Sequence, residues 1–188
     1  LIARVLTALR RDYSFRLVSL AGGAKYNAIT REASAELVLS DSVSTSAFRE
    51  AVRAEETVLR NEYAGTDPAL SLTTKVIDSN EAALTAESTE KVLGLMAALP
   101  YGVQRMSADI EGLVETSVNL GITELSAETF TLKYSIRSSV ATAFRAVVDK
   151  IEFVASCFGA SSAVHSVYPA WEYVRESAFR DEAAAIYR

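Results

Sequence analysis

The sequence predicts an α+β fold: a largely antiparallel sheet with helices packed on one face. Three observations lead to this prediction. Several segments repeat apolar residues with the spacing of an amphipathic helix. Other segments are short, rich in β-compatible residues and bounded by turn residues. Paired strand-like segments follow each other closely, which is typical of antiparallel hairpins rather than of parallel strands with helical crossovers.

The first half of the chain reads as helix, strand, strand, helix, strand. Apolar residues at helical spacing follow Ile2, and FRLVSLAG and the alternating run after Ala33 form a predicted hairpin. Ser44 or Ser46 is a suitable N-cap for the next helix. The predicted elements are a helix near Ile2–Leu9, strands at Phe15–Gly22 and Ala33–Leu39, a helix at Ser44–Glu62 and a strand at Leu70–Ile77.

The second half repeats this order and adds a closing helix. Pro100 ends one helix, and Gly159 is a typical αL residue at the end of another. The predicted elements are helices at Ser88–Leu99, Ala141–Phe158 and Ala178–Tyr187, and strands at Leu113–Ile122, Phe130–Ser138 and Ser161–Tyr168. Residues 1–80 and 81–188 are therefore predicted to be two ferredoxin-like (split βαβ) halves of a single domain, each with the order αββαβ.

Composition excludes several classes of function. The chain has 188 residues, of which 49% are apolar, so it can bury a substantial core. Its net charge of -5 argues against a nucleic-acid surface, and no apolar run is long enough to cross a membrane. A lone Cys157 cannot form an intrachain disulfide, and with no secretory signal at the N-terminus we expect a cytoplasmic protein. The chain begins at Leu1 without Met, which suggests a piece of a longer protein.

The sequence offers no metal site. Zinc requires three or four His, Cys or carboxylate ligands, and His165 is the only histidine. Cys157 lies in the apolar run IEFVASCF, where we expect a buried small hydrophobic residue. A catalytic Cys–His pair would need an orienting partner, and the sequence shows none.

The loop AGGAKYNAITREAS, from Ala21 to Ser34, permits three interpretations. It can be a turn in which Gly22 and Gly23 supply positive φ angles. It can be a phosphate loop, although GGAK lacks the required spacing and joins two strands. The third possibility is carboxylate binding, since Lys25, Tyr26 and Asn27 offer donors, among them a cation and an amide, with no evident role in the core.

Arg137 lies where a predicted strand ends and a predicted helix begins. It is either an exposed charge or part of an anion site at the helix N-terminus. Ser138 and Ser139 are expected N-caps for that helix.

Four segments resemble the zinc-dependent aminoacyl-histidine (Xaa-His) dipeptidases. GGAKYNAITREA is similar to that family's GG-x-x-x-NAIPREA segment. The other three segments are LMAALPYGVQRMSADIEGLVETSVNLG, IRSSV and VYPAWEY, and they occur in the family's order.

The resemblance implies the function of a lid domain. In this family a catalytic domain holds two zinc ions, and a lid and substrate-positioning domain is inserted into it. All four segments belong to the lid, so the resemblance implies that this chain contains no catalytic or metal-binding residues and is inactive alone. Its expected partners are a dipeptide such as carnosine and a second copy in a homodimer. A purely structural dimerisation domain is the alternative.

The resemblance also implies two substrate-binding residues. Asn27 matches the Asn of NAIPREA, and Arg137 matches the Arg of the RSS segment; both lie near the substrate's carboxylate in the family. An amide and a forked guanidinium suit that task. Thr30 replaces the family's Pro, which predicts a less rigid loop exit, and Ala170 replaces a Gly.

Overall fold

A computed structural model describes residues 1–126 and 128–187, which form five helices and five strands. The helices are α1 (Ile2–Leu9), α2 (Thr45–Glu62), α3 (Ala86–Ala98), α4 (Ala141–Cys157) and α5 (Ala178–Ile186). The strands are β1 (Phe15–Gly22), β2 (Ala33–Leu39), β3 (Gly102–Met106), β4 (Val114–Leu125) and β5 (Phe130–Ser138).

The strands form an antiparallel sheet in the order β2-β1-β4-β3, and β5 also pairs with β4. Strand β1 pairs with β2 along its whole length, but with β4 only through Leu20–Gly22. Strand β3 pairs with the other end of β4, with two register shifts. The predicted α+β fold with an antiparallel sheet is therefore confirmed.

Two predicted strands are wrong, and one strand was not predicted. Residues Leu70–Ile77 and Ser161–Tyr168 contain no strand in the structure. Both segments have β-compatible sequences, but neither pairs with a strand of the described sheet. The third strand of each αββαβ half is therefore missing. Strand β3 lacks apolar alternation, since almost all of its residues are exposed, and this explains why the sequence pattern missed it.

The described chain divides into two compact units. The first unit comprises Leu1–Leu99 and Leu120–Tyr134, and the second comprises Pro100–Asn119 and Ser135–Arg188. Strands β4 and β5 each contribute residues to both units. The assignment of residues 1–188 to a single domain stays a prediction.

The core of the first unit lies between helices α1 to α3 and strand β1. Phe48 of α2 is at its centre: its ring meets the rings of Tyr13 and Phe15 edge-on, with centroids 5.5 and 6.0 Å apart. Such pairs add about 0.5–1.5 kcal/mol beyond the burial of apolar area. The buried members are Val5, Leu6, Leu9, Phe15, Leu17, Leu20, Phe48, Val52, Leu59, Leu70, Val92, Leu93 and Leu125.

Beyond its short pairing with β4, the open edge of β1 is closed by polar groups from outside the sheet. The backbone N–H of Leu17 donates to the hydroxyl of Thr89 in α3, at 3.2 Å. The carbonyl of Leu17 accepts from the N–H of Leu84, at 2.7 Å. Leu17 and Thr89 are both fully buried, so these bonds satisfy backbone groups that water cannot reach.

The N-terminus of α2 and the C-terminus of α4 are as predicted. Ser44 caps α2 by accepting from the N–H of Ala47, as predicted. Helix α4 ends before Gly159, whose φ of 73° is the left-handed conformation that glycine adopts without steric cost. The prediction that Gly159 ends this helix is confirmed.

The second unit is thinly packed. Its buried apolar residues are few: Val118 of β4 and Val147, Val148 and Ala155 of α4 are the principal ones. Helix α5 has no buried residue among those described. None of the helices in the described ranges is long and apolar enough to span a bilayer.

Replacing Thr89 with Val should destabilise the first unit, because it leaves the buried N–H of Leu17 without an acceptor. We expect the free energy of unfolding, measured by urea denaturation, to fall by about 1–3 kcal/mol. Thr89→Ser keeps the hydroxyl and loses one methyl group, so it should cost about 1 kcal/mol or less. Equal losses in the two variants would contradict the role assigned to the hydroxyl.

Candidate functional site

The loop between β1 and β2 contains a turn, as one of the three interpretations held. Gly23 has a φ of 74°, while Gly22 ends strand β1. The N–H of Gly23 donates to the carbonyl of Glu32 at 3.3 Å, which closes the neck of the loop. A second bond, from the N–H of Ala28 to the carbonyl of Lys25 at 3.2 Å, forms the turn that carries Asn27. Of the two glycines, Gly23 is the one that supplies a positive φ.

This loop lies directly on strand β4 at Gly121. A Cβ atom at Gly121 would overlap the backbone of Tyr26, and one at Gly23 would overlap the carbonyl of Gly121. Two backbones can approach this closely only where side chains are absent. Gly121 is thus the platform on which the Asn27 turn rests.

Thr30 anchors the loop exit to the same platform. Its hydroxyl lies 3.1 Å from the carbonyl oxygen of Leu120 and 3.3 Å from that of Gly121, both in β4. The departure from the family's Pro was expected to loosen the loop. Instead, the Thr side chain supplies a direct bond to the strand beneath it.

Asn27 itself is exposed at the tip of this turn. Within residues 1–126 and 128–187, its side-chain amide has no hydrogen-bond partner. The fold therefore fixes the backbone of Asn27 and leaves its amide open to solvent.

Arg137 lies near the end of β5, with its side chain exposed. The corner that follows is well ordered by polar contacts. The N–H of Ser139 donates to the carbonyl of Glu115 at 3.2 Å, and the hydroxyl of Ser138 lies 2.8 Å from that of Thr116 in β4. The backbone on either side of Arg137 is thus held to β4.

Ser138 and Ser139 do not cap helix α4, contrary to prediction. The N-cap is Val140, which has no side chain able to accept a hydrogen bond. Ser138 instead bonds the backbone of Val140 and the Thr116 hydroxyl. The carboxylate of Glu172 replaces the missing cap, since its Oε1 accepts from the N–H of Ala141 at 3.2 Å. A carboxylate at a helix N-terminus also interacts favourably with the helix dipole.

The carboxylates around this corner already have partners. Glu115 forms an ion pair with Arg105 at 3.2 Å, and Glu172 is bound to the helix N-terminus. Among the described residues, Arg137 makes no ion pair and no hydrogen bond through its guanidinium. Burial raises the pKa of Tyr134, three residues earlier in β5, so this phenol stays neutral.

Asn27 belongs to the first unit and Arg137 to the second. Each is exposed, and each is carried by backbone that its own unit holds in place. Sequence reasoning identified these two residues but missed the groups that support them: Gly121, Glu115 and Glu172. All three lie in segments that resemble the dipeptidases, which was the available signal.

The two residues considered for metal binding are both exposed. Cys157 was expected to be buried, and this is wrong. It lies two positions after the buried Ala155, which turns it to the opposite side of α4. His165 follows the helix in an irregular segment. In the part of the chain that the structure describes, no group of three or more His, Cys, Asp or Glu side chains could hold a metal ion.

Comparison with known proteins shows similarity to dipeptidases. The chain is 31% identical, over 173 residues, to the cytosol non-specific dipeptidase of Escherichia coli (strain K12); the match covers 92% of this chain and 35% of that protein. The chain also superposes on the crystal structure of aminoacylhistidine dipeptidase from Vibrio alginolyticus, with a TM-score of 0.91 and 27% identity. The match covers 100% of this chain and 39% of the Vibrio alginolyticus chain. No protein-family model matches the chain.

These comparisons confirm the resemblance to dipeptidases and the fold. The chain is homologous to one region of these proteins and spans little more than a third of their length. The activity of the whole protein, its substrates and its partners therefore belong to the proposal below.

Replacing Gly121 with Ala should displace the Asn27 loop, because the new methyl group would overlap the backbone of Tyr26. We expect a loss of about 1–3 kcal/mol in the free energy of unfolding, as for other overpacked sites. Gly65→Ala is the matched control, since a Cβ at Gly65 meets no atom within 4 Å. A Gly121→Ala variant as stable as this control would show that the close approach does not hold in solution.

Proposed function

We propose that this chain is the lid and substrate-positioning region of a longer metal-dependent dipeptidase. In this proposal Asn27 and Arg137 bind the carboxylate end of the dipeptide and orient its peptide bond for hydrolysis. Homology to one region of two dipeptidases supports the assignment to a dipeptidase-related region. The lid role and the two binding residues rest on the resemblance of the segments around Asn27 and Arg137 and on the geometry of the site.

One observation carries the proposal furthest: among the described residues the Arg137 guanidinium has no partner, while Glu115 and Glu172 near the same corner both have one. Glu115 neutralises Arg105, and Glu172 caps α4. A guanidinium in this position is available for an external carboxylate, which it can bind through two parallel N–H···O bonds. The hydrogen bonds around Ser138 and Ser139 fix its backbone, so less conformational entropy is lost on binding.

The Asn27 loop supports the same role by its rigidity. An amide donor orients a ligand only if its backbone is already in place, and Gly121 and Thr30 provide that restraint. Correct orientation of bound reactants can supply a large part of a catalytic rate enhancement. Asn27 and Arg137 would therefore act by positioning, without taking part in bond making or breaking.

The substrate class we propose is Xaa-His dipeptides such as carnosine. The motifs around Asn27 and Arg137 favour this class, because they resemble the aminoacyl-histidine dipeptidases. The name of the Vibrio alginolyticus enzyme agrees with this preference, whereas the Escherichia coli relative is described as non-specific. Carboxylate recognition suits both an Xaa-His and a non-specific dipeptidase, since every dipeptide has a C-terminal carboxylate.

The metal would belong to the remainder of the protein. The residues of this chain do not fit a zinc site, because His165 and Cys157 are both exposed and the described residues contain no cluster of ligands. In the whole enzyme, two zinc ions would supply an activated water. We place the whole enzyme in the cytoplasm, as a homodimer.

Replacing Arg137 with Ala in the complete enzyme should lower kcat/KM for a dipeptide by about 10- to 100-fold, the loss expected for a hydrogen bond to a charged group. Lys133→Ala is the matched control: Lys133 is exposed and lies four residues earlier on the same side of β5. Steady-state kinetics and sedimentation should be measured together. Unchanged kinetics with an intact dimer would leave only the structural role for this region.

A substrate without the C-terminal carboxylate distinguishes loss of carboxylate recognition from a general loss of enzyme activity in the variants. With a dipeptide amide, the Arg137→Ala and Asn27→Ala variants should lose little further activity relative to the wild type, because the group they bind is absent. Asn61→Ala, at an exposed position in α2, controls for the loss of an amide. If both variants are as impaired with the amide as with the free dipeptide, these residues do not recognise the carboxylate.

The 188-residue chain alone should fold, bind no zinc tightly and hydrolyse nothing. One His and one distant Cys cannot supply a tetrahedral ligand set. Metal analysis of the purified chain and a carnosine hydrolysis assay check this expectation. Stoichiometric zinc, or turnover that a chelator abolishes, would mean that the chain is a complete enzyme.

A further inference from the structure

The end of β5 places Arg137 on the same face of the sheet as Glu115 of β4. The N–H of Ser139 donates to the carbonyl of Glu115, so these two residues lie opposite each other in the antiparallel pair. Counting back two residues along β5, Arg137 lies opposite Ser117. Side chains alternate between the two faces of a sheet, so Arg137, Ser117 and Glu115 share one face. Arg137 and Glu115 are therefore diagonal neighbours, which lie about 7–8 Å apart in such ladders and within reach of long side chains.

The neighbouring residues of β4 agree with this register. Thr116 and Val118 are buried, and the hydroxyl of Thr116 lies 2.8 Å from that of Ser138, its partner on the other face. Lys133 and Arg137, which share the first face, are both exposed. The face that carries Arg137 and Glu115 is thus the one turned away from the buried residues of the strand.

The carboxylate of Glu115 is shielded from water and held by a cation of β3. Only 9% of the Glu115 side chain is exposed, and its Oε1 lies 3.2 Å from the Nε of Arg105. The Arg105 side chain itself is 56% exposed. A carboxylate with so little access to water requires a charged partner, because an unpaired buried charge is strongly destabilising.

Two guanidinium groups therefore lie within reach of one carboxylate. Arg105 is paired with Glu115, whereas Arg137 has no partner among the described residues. Without Arg105, the Glu115 carboxylate would regain a charged partner by turning towards Arg137. The ion pair on β3 thus decides which of the two arginines is free.

We propose that Arg105 is a positioning residue that keeps Glu115 engaged and so leaves Arg137 free for the carboxylate of the substrate. This inference rests on the proposed function of Arg137. Without Arg105, Glu115 competes with the substrate for the same guanidinium, and apparent affinity falls with the fraction of Arg137 that stays unpaired. Arg105 acts in substrate binding without touching the substrate.

Kinetics of the complete enzyme with Arg105→Ala test the proposal. KM for a dipeptide should rise about 3- to 10-fold with kcat little changed, because a smaller fraction of Arg137 is free to bind substrate. For the dipeptide amide, KM should equal that of the wild type with the same amide. Arg145→Ala removes an arginine from exposed ion pairs of α4 and is the matched control, with both KM values unchanged. An unchanged KM for the dipeptide, or an equal rise with the amide, would overturn the proposal.

Removing the competing carboxylate should reverse the defect. The double variant Arg105→Ala and Glu115→Gln should return KM to that of Glu115→Gln alone, since Gln cannot neutralise Arg137 but keeps the backbone carbonyl that binds Ser139. Arg105→Lys retains a cation and should raise KM less than Arg105→Ala. Structural damage to β3 would not be repaired by a second substitution, so a double variant as impaired as Arg105→Ala would refute the role of Arg105.

The Arg137→Ala variant distinguishes this inference from the proposed function. Adding Arg105→Ala to Arg137→Ala should raise KM no further, because the guanidinium through which Arg105 acts is gone. If Arg137→Ala lowers kcat/KM but Arg105→Ala does not, Arg137 binds substrate and the role given to Arg105 is wrong. If Arg137→Ala itself has no effect with the dipeptide, the proposed function fails, and this inference fails with it.

Discussion

The contact between the Asn27 loop and strand β4 is the constraint on which the candidate site in the first unit depends. It requires glycine at two places, Gly23 and Gly121, because a methyl group at either would overlap the facing backbone. A contact of this kind restricts both chain segments at once. Neither Gly23 nor Gly121 can be replaced by a residue with a side chain, and neither segment can move away without losing the hydrogen bonding of Thr30. The turn that presents Asn27 is thus specified by Gly23, Gly121 and Thr30, which lie beneath it and at the loop's two ends.

In the second unit, the backbone around Arg137 is held in place in a different way. Arg137 depends on polar bonds that tie the strand end to β4 and the following helix to Glu172. The Glu172 carboxylate caps α4 and the Glu115 carboxylate pairs with Arg105, so among the described residues the guanidinium of Arg137 has no internal partner.

The fold was largely predictable because local patterns decide most of it. Helical periodicity and the hairpin pattern after Phe15 gave elements that match the structure closely. Strand assignment failed where pairing, and not local sequence, decides: Leu70–Ile77 is suited to a sheet, but it pairs with none of the described strands. Leu70 is buried in the core, while the open edge of β1 is satisfied by Leu84 and Thr89. A single sequence does not show which edge a segment will meet.

The candidate site was predictable only in part, since its supporting contacts join segments that are far apart in sequence. Asn27 and Arg137 followed from motif resemblance, but the platform at Gly121 lies about ninety residues beyond the loop that it carries. Burial of Cys157 was wrongly inferred from apolar neighbours in sequence. On a helix the position relative to the packed face matters more than the composition of the run.

The replacement of the family's Pro by Thr30 shows how one restraint can stand in for another. Proline fixes φ and lowers the conformational entropy of the unfolded chain, an effect of about 0.4–1 kcal/mol where the geometry is compatible. The Thr30 hydroxyl instead bonds two carbonyl oxygens of β4, and a hydrogen bond of this kind contributes about 0.5–1.5 kcal/mol. The two effects are similar in size but differ in kind: proline stiffens the chain locally, whereas Thr30 ties it to Gly121. Loop order at Asn27 is therefore retained with a different residue at the exit, because the close approach to β4 places carbonyl oxygens within reach of a hydroxyl group.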